Sequence, residues 1–128
     1  MTRQLKKNKL LSLKSKEAFN YLFKNGEFYK EKNVGVRYCE KEKGFFYVGY
    51  TVSKKHFSKA VDRNLIKRRI KSEVSKTSCF FIDNCPPGIY LFFYMGKNIP
   101  LSVSLSSEIS GVLKKLVKKH GTVRNSVF

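Results

Sequence analysis

Acidic side chains are scarce in this sequence. Nine Asp and Glu stand against twenty-seven Lys and Arg, a formal net charge of +18 over 128 residues. Two-metal hydrolysis needs clustered carboxylates. The acids here are scattered, with no Asp-x-Asp pair, which argues against a nuclease site within the chain itself. Histidine is equally thin, with only His56 and His120. One falls at a helix entry and the other at a helix end, where charge complementarity with the helix dipole accounts for it better than acid–base catalysis does. The three cysteines, Cys39, Cys79 and Cys85, form no C-x-x-C pair and have no zinc-ligand spacing. Their odd number fits a reducing compartment, and they read as small core residues. No apolar run approaches the roughly 18 residues of a membrane span, and the basic N-terminus lacks the apolar stretch and cleavage site of a secretory signal. Cations interleaved with glycines and strand-like segments are also unlike an interfacial membrane helix. The expected setting is the cytoplasm, with no membrane partner.

What is present is positive charge with an uneven distribution. Residues 54–76 hold nine Lys and Arg but only two acids, Asp62 and Glu73, whereas residues 77–113 hold a single Lys. A compact chain with this much like charge repels itself unless a polyanion is near. Nucleic acid is the natural partner.

The length favours one domain over residues 1–128, with flexible ends at about 1–10 and 121–128. Ser15 followed by "KEAFNYLFKNG" reads as a capped helix that Asn25-Gly26 stops. "NVGVRYCE" alternates Val34, Val36 and Tyr38 against Gly35, Arg37 and Cys39, a strand pattern. After the turn "KEKG", "FFYVGYTVS" reads as a second strand, and the two are expected to form an antiparallel hairpin. A further short strand is expected within 28–33. Ser58 is placed to cap a helix running to about Ser75. "CPPG" breaks the chain, and "IYLFFYMG" is a strand apolar on both faces, hence buried on both. Ser106 or Ser107 then caps "EISGVLKKLVKKHG", with Ile109, Val112, Leu113, Leu116 and Val117 as its core stripe. The class is α+β: an α-β sandwich with a mixed four-stranded sheet and three helices in the order αβββαβα.

On the basic helix, Ile66, Ile70 and Val74 fall on one line that packs on a sheet. Asn64, Arg68 and Lys71 lie roughly 140–160° away around the helix. Arg63 and Lys67 flank the apolar line, and Lys54 and Lys55 precede the helix near its positive end. A solvated helix face would mix acids in at i±4. This one scarcely does, and Asn64 is read as buried beside arginines. Together these features favour nucleic-acid binding.

The stretch "VGYTVSKKHFSKAVDRNLIKRRIK" resembles the signature of the bacterial ribonuclease P protein component family, an Arg-Asn-Arg core followed by Ile-Lys-Arg. Arg63-Asn64 and Ile66-Lys67-Arg68 match, while Leu65 stands where the family has its second Arg. "AFNYLFKNG" is similar to the family's two phenylalanines four apart followed by Gly. The resemblance covers about residues 5–120 and is weak across 76–86. It implies a ribosomal-protein-like α-β sandwich serving as the small subunit of a ribonucleoprotein endoribonuclease, which removes the 5′ leader of precursor tRNA. Catalysis would then lie in the RNA subunit, with Mg2+ held mainly by that RNA and the substrate, and no catalytic residue or metal site in this chain. Its partners would be the catalytic RNA and precursor tRNA, with one protein monomer per holoenzyme. By the same resemblance Arg63, Asn64, Lys67 and Arg68 would contact the RNA subunit, with Lys54 and Lys55 supporting phosphates, and Lys71 is expected on the same RNA-subunit surface. Arg69, about 40° around the helix from Leu65, is expected to replace part of the missing Arg contact. Phe19 and Phe23 would line a cleft for the leader. Registration makes either Arg37 or Tyr38 the counterpart of the family's cleft tyrosine, and alternation allows only one of them to face the cleft; Tyr38 is the expected one. The rival reading is a non-enzymatic, ribosomal-type RNA-binding protein.

Overall fold

The computed structural model describes residues 10–13, 16–40 and 46–121. The expected cap Ser15, the "KEKG" turn and the terminal segments 1–9 and 122–128 lie outside the described residues, as does the side chain of His120. The described elements are β1 (Leu10–Ser12), α1 (Lys16–Asn25), β2 (Glu27–Glu31), β3 (Val34–Glu40), β4 (Phe46–Val52), α2 (Ala60–Lys76), α3 (Ser78–Asn84), β5 (Gly88–Tyr94) and α4 (Ser102–Leu116). A π-helical turn, Val117–Gly121, closes α4. The class is α+β as expected, with one more strand and one more helix than anticipated.

The strands form one mixed sheet in the order β1-β4-β5-β3-β2. This corrects the expected pairing of β3 with β4, because β5 lies between them, antiparallel to β3 and parallel to β4. The physical reason is in β5 itself. Ile89, Leu91 and Phe93 point one way and Tyr90, Phe92 and Tyr94 the other, so only a central position covers both faces and both edges. The hairpin that does form joins β2 to β3 through Lys32 and Asn33. Lys32 takes a left-handed φ of 55° there. The tip is clamped from the helical side: the Asn33 amide donates to Glu108 Oε1 at 2.9 Å, and Lys115 Nζ donates to the Lys30 carbonyl at 2.7 Å.

The two faces of the sheet are covered unequally. One carries the main core, in which Val34, Val36, Tyr38, Phe46, Val48, Tyr90 and Phe92 meet Ile66, Ile70 and Val74 of α2 and Leu105, Ile109, Val112, Leu113 and Leu116 of α4. The stripes read from both helices are therefore the buried ones. Unanticipated α3 contributes Phe81, fully buried against Phe46, Tyr90 and Phe92. Segment 76–86 is apolar because it is part of this core. Among the described residues the opposite face is covered by α1 and Leu13, through Leu22 packed with Cys39, Ile89 and Leu91 and supported by Leu13, Ala18 and Phe19.

Three local expectations are corrected. Helix α2 begins after Lys59, and neither that residue nor Ser58 caps it with a side chain. Helix α4 begins at Ser102, a full turn before Ser106. Its earlier start lets Leu105 reach the core. Cys39 and Cys85 are buried, but Cys79 is exposed on α3, whose core-facing position is taken by Phe81.

Candidate nucleic-acid interface

Two groups of side chains stand out, and they lie on different elements. The first is the outer side of α2. Burial of Ile66, Ile70 and Val74 turns Asn64, Arg68 and Lys71 to solvent, with Lys67 partly exposed beside them. Asn64 is thus exposed, not buried, because it lies nearly opposite the apolar line. Lys54 and Lys55 are exposed on the loop that leads from β4 into the helix.

Arg63 and Arg69 flank the buried line on either side, and each is anchored to backbone. Arg63 Nη1 donates to the carbonyls of Phe57 at 2.8 Å and Ser58 at 2.9 Å. Arg69 Nη1 donates to the Pro100 carbonyl at 2.7 Å. These arginines stitch the loops at 57–58 and 97–101 to α2. For Arg69 this corrects the expectation of a side chain sweeping out to fill the place of Leu65, since its fork is directed to the loop before α4. No hydrogen bond, ring contact or ion pair of this kind was legible in the basic run itself.

The second group lies on the thinly covered face of the sheet. Phe28 of β2, Arg37 of β3 and Leu91 of β5 are cross-strand neighbours, so their side chains share that face. The Arg37 guanidinium carbon sits 5.2 Å from the ring centre of Phe23, 5.4 Å from Phe28 and 5.8 Å from Phe93. Phe23 and Phe28 each meet Phe93 edge to face, at 6.3 and 6.0 Å between centroids. Gly35 makes room for this: a side-chain carbon there would lie 2.8 Å from the Phe28 ring. Phe23 remains 50% exposed and Phe28 43%, so the rings border an open groove between α1 and the sheet.

This geometry decides between Arg37 and Tyr38 and corrects the expected choice. Tyr38 is 3% exposed and packs on Tyr90 in the main core, at 4.8 Å between centroids. Burial pushes its hydroxyl pKa up, and Glu40 adds to the shift. It cannot face the groove, and Arg37 does. Phe23 is in the groove, whereas Phe19 is half-buried and supports the α1 layer. Sequence reasoning missed Phe28 and Phe93. Phe28 falls in the weakly patterned segment 28–33, and Phe93 is hidden within a continuous apolar run. The alternation in β5 together with the face of Arg37 was the available signal.

Among the described residues no three His, Cys, Asp or Glu side chains come together as metal ligands. His56 is exposed. No described helix is long and apolar enough to cross a membrane.

The sequence profile of the ribonuclease P family matches residues 7–121. The chain belongs to the ribonuclease P protein family. It is 40% identical over 63 residues to the ribonuclease P protein component of Streptococcus agalactiae, and that stretch is 49% of this chain and 57% of the relative. Against the ribonuclease P protein component of Streptococcus pneumoniae it is 40% identical over 67 residues, 52% of each chain. The alignments thus span only about half the length of these curated relatives. The fold is similar to that of the Staphylococcus aureus RNase P protein, with a TM-score of 0.70 at 23% identity, covering 84% of this chain and 95% of that one. It is also similar to the RNase P protein of Thermotoga maritima, with a TM-score of 0.69 at 18% identity, covering 81% and 96%.

Proposed function

We propose that the chain is the protein subunit of a ribonuclease P. It binds a catalytic RNA and the 5′ leader of precursor tRNA, and assists endonucleolytic removal of that leader. One observation carries this reading: the solvent face of α2 is an almost acid-free row of cations, and it coincides with the segment that resembles the family signature. Lys54, Lys55, Asn64, Lys67, Arg68 and Lys71 form the surface for the RNA subunit. Arg63 and Arg69 hold the adjoining loops in register with it. Phosphates neutralised by these side chains release counterions, which supplies affinity.

The leader lies in the groove between α1 and the sheet. Phe23 and Phe28 offer ring faces on which single-stranded bases stack, and Arg37 adds positive charge at the groove floor. Phe19 packs in the layer that seats α1 on the sheet. Mg2+ held by the RNA subunit and the substrate supplies the hydrolytic chemistry when bound. The part proposed for this chain is binding and charge compensation. The chain acts as one monomer per holoenzyme, in the cytoplasm.

Reconstitution tests the reading. The chain mixed with its cognate RNA should speed leader removal most at low magnesium, where protein cations replace metal ions in screening phosphates, and the chain alone should cleave nothing. Robust cleavage by the protein without RNA would refute it. Copurification with ribosomal subunits and no effect on leader removal would favour the ribosomal-type alternative.

A further inference from the structure

The hairpin that carries Phe28 and Arg37 is held from the side of the sheet that faces away from the groove. Strand β2 ends the sheet and, among the described residues, pairs only with β3. A two-stranded ribbon twists more than the interior of a sheet, and its tip puts Lys32 at a left-handed φ of 55°, where a side chain is disfavoured. Helix α4 lies along this ribbon. Glu108 Oε1 accepts from the Asn33 amide at 2.9 Å. A side-chain carbon at Gly111 would lie 2.8 Å from Glu31 Cγ, so the helix approaches closely there. Lys115 Nζ sits 3.0 Å from Glu31 Oε1 and donates to the Lys30 carbonyl at 2.7 Å. These three helical positions stand at i, i+3 and i+7, on one line of α4. The Asn33 carbonyl is fixed as well, by the Met95 amide at 2.7 Å.

Glu108 is the unusual member of that line. The other buried residues of α4 are Leu105, Ile109, Val112, Leu113 and Leu116, all apolar. A carboxylate taken out of water is costly, and an apolar side chain of similar volume would cover the same surface without that penalty. What the carboxylate adds is direction, through a charge-assisted hydrogen bond to a single backbone amide. The tip is thereby fixed in place as well as covered. It continues into β2, where alternation turns Glu31 toward α4 and Phe28 toward the groove. There the Phe28 ring lies over Gly35, 5.4 Å from the Arg37 guanidinium carbon. A strand twisting about β3 would carry Phe28 off Gly35 and open the groove.

We propose that Glu108, with Lys115, positions the groove from behind: the seat of the β2–β3 hairpin on α4 sets the Phe28 wall and thereby the strength of leader binding. This rests on the assignment of the groove to the leader, and it adds two positioning residues from the helix on the far side of the sheet.

The test uses holoenzyme reconstituted with each variant, and measures affinity for precursor and leaderless tRNA together with KM and kcat for leader removal. Glu108→Leu should lower the preference for precursor over leaderless tRNA by about three- to tenfold. It should raise KM and leave kcat and assembly with the RNA subunit unchanged. Glu108→Gln keeps a carbonyl acceptor for the Asn33 amide and should restore most of the preference, which a general loss of packing would not allow. Lys115→Met and Lys114→Met remove the same charge from adjacent exposed positions, but only Lys115 is bonded to the hairpin. Lys115→Met should therefore lower the preference and Lys114→Met should not. That pair decides the matter if the Glu108 variants fail to fold. The positioning role is refuted, and the groove assignment stands, if Glu108→Leu keeps the full preference, if Glu108→Gln loses as much as Glu108→Leu, or if the two lysine variants behave alike. If the unmodified holoenzyme binds leaderless tRNA as tightly as precursor, the groove assignment itself fails.

Discussion

The two faces of the sheet use the same kinds of residue for opposite ends. On the face under α2, α3 and α4, Phe81, Tyr90 and Phe92 are fully buried, and Phe81 meets the other two edge to face. The Tyr90 hydroxyl there donates to the Pro86 carbonyl, and that of Tyr94 to the Asn98 carbonyl at 2.7 Å, so the polar atoms are satisfied internally. On the face under α1, Phe23 and Phe28 stand half out of the protein beside an arginine with a buried nitrogen that lacks a partner. What separates the faces is the amount of helix laid over them. Among the described residues, seventeen of α2 and fifteen of α4 close one side, and the ten of α1 leave the other ajar. The closed face contributes stability, and the open face presents a surface.

The sharpest way to break this contrast is to truncate one ring on each side. Phe81→Ala should cost about 3–5 kcal/mol of unfolding free energy, the range for a buried aromatic, measured by denaturant midpoint at constant slope. Phe23→Ala should cost well under half of that and instead weaken binding of leader-bearing RNA. Equal losses of stability would mean that the α1 face is core as well.

Alkaline pH probes the closed face alone. Burial pushes the Tyr50 hydroxyl up to about 12, and it raises Tyr38 and Tyr94 also. Unfolded tyrosines ionise near 10. Between pH 10 and 12 the unfolded chain therefore gives up protons that the folded chain keeps, and stability falls as pH rises through that window. It is fully present below pH 10. A melting temperature that stays flat between about pH 9.5 and about pH 11.5 would contradict the burial of these hydroxyls.

A smaller contrast separates the anchored and exposed arginines of α2. Arg63→Ala removes donors from the Phe57 and Ser58 carbonyls and should lower stability by about 1–2 kcal/mol. Arg68→Ala should leave stability within about 0.5 kcal/mol and lower the salt slope of RNA binding by about 1. Thermal melts alongside salt titrations of RNA affinity separate the two. Reversal of the pattern would mean that Arg63, not Arg68, faces the RNA.

Much of this was legible in the sequence. The apolar stripes of α2 and α4 emerged as read, because helical periodicity and the burial of Ile66, Ile70, Leu113 and Leu116 report the same constraint. The pairing of β3 with β5 did not, because alternation shows which residues share a face but not which strand lies alongside. The choice between Arg37 and Tyr38 depended on which face received three helices and which received one, a property of the whole chain. The aromatic cluster was hidden for a related reason: Phe23, Phe28 and Phe93 are contributed by three elements that only the sheet order brings together.

The central claim is that the open face holds the leader while the outer side of α2 holds the RNA subunit. The most direct test is the ratio of holoenzyme affinities for precursor and leaderless tRNA, measured for Phe23→Ala and for Arg68→Ala. The account predicts that Phe23→Ala moves this ratio toward one, whereas Arg68→Ala leaves it unchanged while weakening assembly with the RNA subunit. A ratio that collapses in Arg68→Ala and survives in Phe23→Ala would contradict it.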